Sequence, residues 1–143
     1  MKFKRKQLED KLGLDQYAYV ASKADTDYDD PSRQEIAYWR KHPNLQGWME
    51  QLWIRKTNEA GKTIVEDSNW GSNFNGVELE LTWDDIDKLE KDIKSGEVSE
   101  LGTTGFFFGD PSDDVYYEHD LKFCIDAKAE CFLGRKVFYN SSW

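Results

Sequence analysis

The chain has 143 residues, a length that holds one ordinary domain. Twenty-eight acidic against nineteen basic side chains leave a formal charge of −9. That balance argues against a nonspecific grip on DNA or RNA, which needs a basic face to displace counterions. No run of about 18 apolar residues is present, so no membrane-spanning helix is expected, and the basic start over residues 1–6 lacks the apolar stretch of a secretory signal.

The first eleven residues carry five basic and two acidic side chains, which leaves the rest of the chain near −12. Residues 16–22 alternate weakly and predict a short strand. The run 25–30 is an acidic loop closed by Pro31. Its Asp25, Asp27 and Asp29 imitate the opening of a calcium loop, but Asp30 stands where glycine is needed and Ile36 where glutamate is needed. Ser32 and Glu35 have the spacing of a reciprocal capping pair and predict a helix through Ile36, Tyr38 and Trp39. Pro43 suits the first turn of a second helix. There Leu45, Trp48, Met49, Leu52 and Trp53 make the cleanest amphipathic stripe of the chain.

Residues 58–62 read as a turn, and 63–65 as a short strand. The polar loop 67–76 holds Trp70, Asn73, Phe74 and Asn75, a set able to recognise a ligand through amides and a ring, or to cover the core. Residues 77–81 alternate strictly, with Val77, Leu79 and Leu81 on one face and Glu78 and Glu80 on the other, solvated one. Thr82 caps a helix whose first turn holds Asp84 and Asp85, where the helix dipole favours negative charge. Its apolar stripe is Trp83, Ile86, Leu89 and Ile93, and Gly96 ends it. After a loop comes Gly105-Phe106-Phe107-Phe108-Gly109, either a strand buried on both sides or an aromatic wall of a cleft.

Asp110, Asp113 and Asp114 form a turn and cap, with a cation site including Glu118 as the sharper alternative. A long helix is expected over 115–133, with Tyr117, Leu121, Cys124, Ile125, Lys128 and Phe132 along one side and Gly134 as terminator. Residues 136–142 read as a last strand. Cys124 and Cys131 on this helix stand roughly 10 Å apart, beyond disulfide reach. They read as small apolar groups in a reducing cytosol. His42 and His119 lack zinc-ligand spacing, and His119 beside Asp120 does not face it on a helix. The expected fold is α+β, one domain over 1–143 with three to four helices on a small, mainly antiparallel sheet.

Tyr38-Trp39-Arg40-Lys41, the Gly105–Gly109 run, and Tyr116-Tyr117 with Asp120-Leu121 occur in that order. Together they resemble a family of small proteins of tailed bacteriophages and prophages with YWRK, GFFFG and YYxxDL motifs. The ending 137–143 also looks like endings in that family. The likeness covers about 36–143, so 32–143 is the family-like core and 1–31 a variable N-terminal segment. Such proteins are sometimes labelled phosphoglycerate kinase, but this chain is too short for a two-domain kinase and has no glycine-rich phosphate loop. The resemblance implies a phage accessory protein of the host bacterial cytoplasm; separately, no cofactor is expected.

Three functions follow as expectations. The first is a non-enzymatic protein that binds and neutralises a host component in counter-defence or host takeover. Its acidic side chains Glu78, Glu80, Asp84 and Asp85 would meet a basic partner. The second sequesters a small phosphorylated ligand, a nucleotide signal. Tyr38, Trp39, Arg40 and Lys41 would combine with Phe106, Phe107 and Phe108 and with Tyr116 and Tyr117, the rings stacking a base and Arg40 holding an anion. The third is a small metal-dependent hydrolase or nucleotide-processing enzyme.

Overall fold

The computed structural model describes residues 14–21, 33–61, 74–98 and 113–142. The expectations for residues 1–13, the acidic run 25–30, the strand 63–65, Trp70 and Asn73, the aromatic run Phe106, Phe107 and Phe108, Asp110, and the side chains of Asp113 and Asp114 lie outside the described residues.

Strand β1 spans Asp15–Ala21, and burial alternates along it, with Gln16, Ala18 and Val20 inward. Strand β2 spans Gln34–Arg40, where a helix was expected. Ala37 and Trp39 are buried while Tyr38 and Arg40 are exposed, so the segment keeps the two-residue period of a strand. Its Ile, Tyr and Trp side chains suit a pleated surface, and Pro43 closes the segment before a helix could extend. Ala18 faces Ala37 but Tyr19 faces Glu35, so Ile36 is the extra residue of a bulge.

Helix α1 spans Pro43–Glu59 with Pro43 in its first turn, as expected. Leu45, Trp48, Met49 and Leu52 are buried. Strand β3 is short, Leu79–Leu81. Helix α2 spans Trp83–Ser95, opened by Thr82 and closed by Gly96 at φ +87. The reciprocal capping pair sits here: Asp85 N donates to Thr82 Oγ1 (3.2 Å) and Thr82 N to Asp85 Oδ2 (2.9 Å).

Helix α3 spans Asp113–Phe132, and strand β4 spans Lys136–Ser142. The residues read along one side of α3 divide: Cys124 and Leu121 join the core, and the others do not. Asp120, Phe123, Cys124 and Ala127 are buried, whereas Tyr117, Ile125 and Phe132 are 39%, 63% and 84% exposed. The cause is polar: Asp120 is drawn inside by two hydrogen-bonding rings described below, and this rotates the whole helix.

The sheet order is β2-β1-β4-β3, and every neighbouring pair is antiparallel. Ala18, Trp39, Leu81, Val137 and Tyr139 on its inner face share one apolar cluster with side chains from all three helices. The described chain is thus an α+β fold, three helices covering one face of a four-stranded antiparallel sheet.

Candidate functional site

The register of the sheet determines which side chains share its other face. Arg40, Asp15 and Ser142 stand in one row across β2, β1 and β4. Tyr38, Tyr17 and Asn140 form the next row, and Glu35, Tyr19, Phe138 and Glu80 the third, reaching β3. None of the described helices lies over these rows, because their core contacts are all with the inner face.

The centre of this outer face is aromatic. The rings of Tyr17 and Tyr19 stack at 6.0 Å, and Tyr38 meets Tyr17 at 5.2 Å. The charged groups at its margins are held in place. Tyr38 Oη donates to Asp15 Oδ1 (2.7 Å), and Arg40 Nη1 to the same oxygen (3.3 Å). The hydrogen bond to that carboxylate holds the Tyr38 phenol above its ordinary pKa, so the ring stays neutral. On the other side, Arg33 lies over the Phe138 ring at 4.7 Å and makes a forked pair with Glu78 (2.9 and 3.0 Å).

Trp39, between Tyr38 and Arg40, and His42 beyond them do something else. Trp39 points inward and is fully buried, so it offers no surface on which a base could stack, contrary to the ligand-binding expectation. Its Nε1 donates to Asp120 Oδ1 (2.8 Å), and His42 Nε2 lies 2.7 Å from the other oxygen of the same carboxylate. His42 stacks on Tyr116 with ring centroids 4.7 Å apart. Its backbone N–H donates to Gln16 Oε1 (2.9 Å), and Gln16 Nε2 donates to the His42 carbonyl (3.1 Å). His42 and Asp120 form a buried pair with zero exposure on both sides.

Tyr116 and His119 have a third role. Tyr38 and Arg40 are two residues apart, so their backbone polar groups point together away from β1, at the edge of the sheet. The Tyr116 hydroxyl donates to the Arg40 carbonyl (2.7 Å) and accepts from the Arg40 N–H (3.1 Å). His119 Nε2 donates to the Tyr38 carbonyl (2.9 Å). Side chains of α3 therefore occupy hydrogen-bonding groups that an edge strand otherwise leaves open to another chain. The two sequence motifs do meet in space, with Tyr116 bound to the β2 backbone. Tyr117 stands apart, exposed on α3, and Lys41 is half-buried with φ +55, the left-handed region that favours glycine.

The four acidic candidates divide. Glu78 is half-buried and paired with Arg33, and Asp85 closes the α2 cap and pairs with Lys56, so neither carboxylate projects freely to a partner. Glu80 and Asp84 are exposed, and Glu80 belongs to the aromatic outer face. Further along α2, Lys128 reaches Asp87 (2.7 Å) and Glu90 (3.4 Å) from α3. The hydrogen bonds from Lys128 and Lys91 hold Asp87 below the ordinary carboxylate range. Both cysteines are free, and burial pushes the Cys124 thiol up to about 12.

Sequence reasoning missed Tyr17, Tyr19 and Phe138. The weak alternation of β1 was a signal for Tyr17 and Tyr19, whereas β4 buries Val137, Phe138 and Tyr139 in succession and carries no such alternation to mark Phe138. No group of three or more His, Cys, Asp or Glu positioned to hold a metal occurs among the described residues, and no described helix is long and apolar enough to cross a membrane. No protein-family model, curated protein or solved structure matches the chain.

Proposed function

We propose that this chain is a non-catalytic binding protein that docks a host protein on the outer face of its sheet and thereby neutralises it. The observation that carries the reading is the cluster Tyr17, Tyr19 and Tyr38 with Arg40, on a face over which no described helix lies. Tyrosine and arginine dominate protein-binding hot spots, because they offer large rigid area with a polar end. Here Tyr38 and Arg40 are pre-ordered by Asp15, which lowers the entropy cost of docking. The rim holds the exposed acids Glu35 and Glu80, and the chain carries −9, so the complementary partner is a basic protein surface. The phage setting, in the cytoplasm of an infected bacterium, comes from the family resemblance.

The buried Trp39 takes one of the two candidate stacking rings from the nucleotide-sequestering alternative and leaves it the exposed Tyr38. The test is co-purification of the tagged chain from infected bacteria, followed by titration of the identified partner against purified variants. Tyr38→Ala and Tyr17→Ala are each expected to weaken binding by tenfold or more, a loss of about 1.4 kcal/mol. Binding should also weaken as salt rises from 0.05 to about 0.5 M. A partner held equally well by the double variant at all salt concentrations sinks the outer-face reading. Recovery of a phosphorylated small molecule in place of a protein sinks protein docking altogether.

A further inference from the structure

The solvent side of α3 differs from that of the other helix packed beside it. At 100° per residue, Ile125, Ala129, Phe132 and Leu133 fall opposite the buried Asp120, Phe123 and Ala127. Leu133 still belongs to the helical ladder, since its N–H donates to the Ala129 carbonyl (3.1 Å). Ile125, Phe132 and Leu133 are 63%, 84% and 64% exposed. Half-buried Leu121 carries the stripe one turn further towards the N-terminus, for a length of about 18 Å. The second half of α3 is therefore apolar on both sides, a pattern that belongs to helices covered on both sides. Helix α2, by contrast, turns Lys88, Lys91 and Lys94 to solvent.

The charges beside the stripe point to its occupant. Lys122 Nζ donates to Asp126 (2.5 Å) and Arg135 Nη1 to Glu130 (2.6 Å), so these rim charges cancel in pairs although the chain carries −9. A strongly basic or acidic foreign surface therefore gains little there. A second copy of the chain does find a match. When two such helices lie antiparallel about a two-fold axis level with Ala127, Ile125 of each meets Ala129 of the other, and Leu121 meets Leu133. Lys122 and Glu130 lie on the same flank of the stripe, and this register brings Lys122 of each copy to within about 3 Å, along the axis, of Glu130 of the other. An ammonium has three donors and a carboxylate two oxygens, so this contact adds to the pairs within each chain.

We propose that the chain forms a two-fold dimer through antiparallel packing of α3 on α3, with Ile125, Ala129, Phe132 and Leu133 at its centre and Lys122 facing Glu130 on its rim. A single pair of helices buries less than the about 1,200–2,000 Å² of a tight interface, so the dimer is weak, with a dissociation constant of about 0.1 mM. At the few micromolar of an unfolding experiment the chain is monomeric. The stripe faces away from the sheet, so both outer sheet faces stay open. Where the docking reading above holds, the pair is bivalent for its partner; the dimer itself does not depend on that reading.

The experiment is sedimentation equilibrium of the full chain from about 0.01 to about 1 mM in 0.15 M salt, where a Debye length of about 8 Å screens the net charges of the two copies. A reversible monomer–dimer equilibrium is expected. Ile125→Glu and Phe132→Glu, both at exposed positions, should each leave a monomer at every concentration, with the thermal transition retained. Lys122→Glu and Glu130→Lys should each weaken the dimer at least threefold, and the double variant should restore it. Tyr38→Ala on the sheet should leave it unchanged. A parent chain that is monomeric at 1 mM overturns the proposal and assigns the stripe to a foreign protein. A dimer that survives both glutamate variants, or that is lost in Tyr38→Ala, overturns it as well, since the contact then lies elsewhere. Failure of the double charge reversal to restore the dimer overturns the antiparallel register.

Discussion

A single carboxylate ties the helix layer to the sheet. Asp120 accepts from Trp39 of β2 and pairs with His42 at the start of α1, and all three side chains are fully buried. Removing it leaves two ring nitrogens without a partner in a dry interior, and each orphaned buried polar group costs about 1–3 kcal/mol. Asp120→Ala is therefore expected to lower the unfolding free energy by about 3 kcal/mol in urea titration. Asp120→Asn keeps one acceptor for the indole N–H and should lose clearly less. An alanine variant within about 0.5 kcal/mol of the parent would show that the network does not hold α3 in place. The resemblance motifs drew attention to Tyr38, Trp39, Tyr116 and Asp120, and all four make specific contacts. Three of them contact each other's elements, however, because a buried polar network and a ligand site draw on the same residue types, and sequence alone does not say which side of a strand a ring faces.

At the scale of elements, the sequence was most legible where one local rule acted alone. Pro43, Thr82, Gly96 and Gly134 marked helix ends, and the strict pattern around Leu79 and Leu81 marked a strand. It misled where two rules competed. Ser32 and Glu35 have capping spacing, yet Ala37 and Trp39 alternate with Tyr38 and Arg40, and burial of Trp39 decided in favour of the strand. On α3 the apolar residues suggested one face, while a polar residue determined another. That rotation is directly testable. Phe123 is buried against Trp39 with ring centroids 5.1 Å apart, and Phe123→Ala should cost about 3–5 kcal/mol. Phe132, 84% exposed, should tolerate alanine within about 0.5 kcal/mol. Equal losses at the two positions would overturn the observed orientation of the helix.

The whole molecule is organised by pairings that are remote in sequence. β1 lies beside β4, so Asp15 faces Ser142 and Val20 faces Val137. β4 is also the only link between β1 and β3 within the described sheet. The core side chains Val137 and Tyr139 come from this strand, and the Gly76 N–H before β3 donates to the Ser141 carbonyl (2.7 Å). Such long-range closure is the part of a fold least visible in local sequence patterns, since each strand can be recognised without its partner. It also makes stability a property of the complete sheet: without β4, β1 and β3 both lose a ladder and the helices lose part of the surface they cover. A chain ending at Arg135 is therefore expected to lose its cooperative thermal transition and the dispersed amide spectrum of a folded protein. Adding a peptide of residues 136–143 at millimolar concentration should restore both, because the missing strand supplies the register and the core together. Cooperative unfolding of the shortened chain without the peptide would mean that the helices and the remaining hairpin form a stable unit, and that β4 docks on a fold already made.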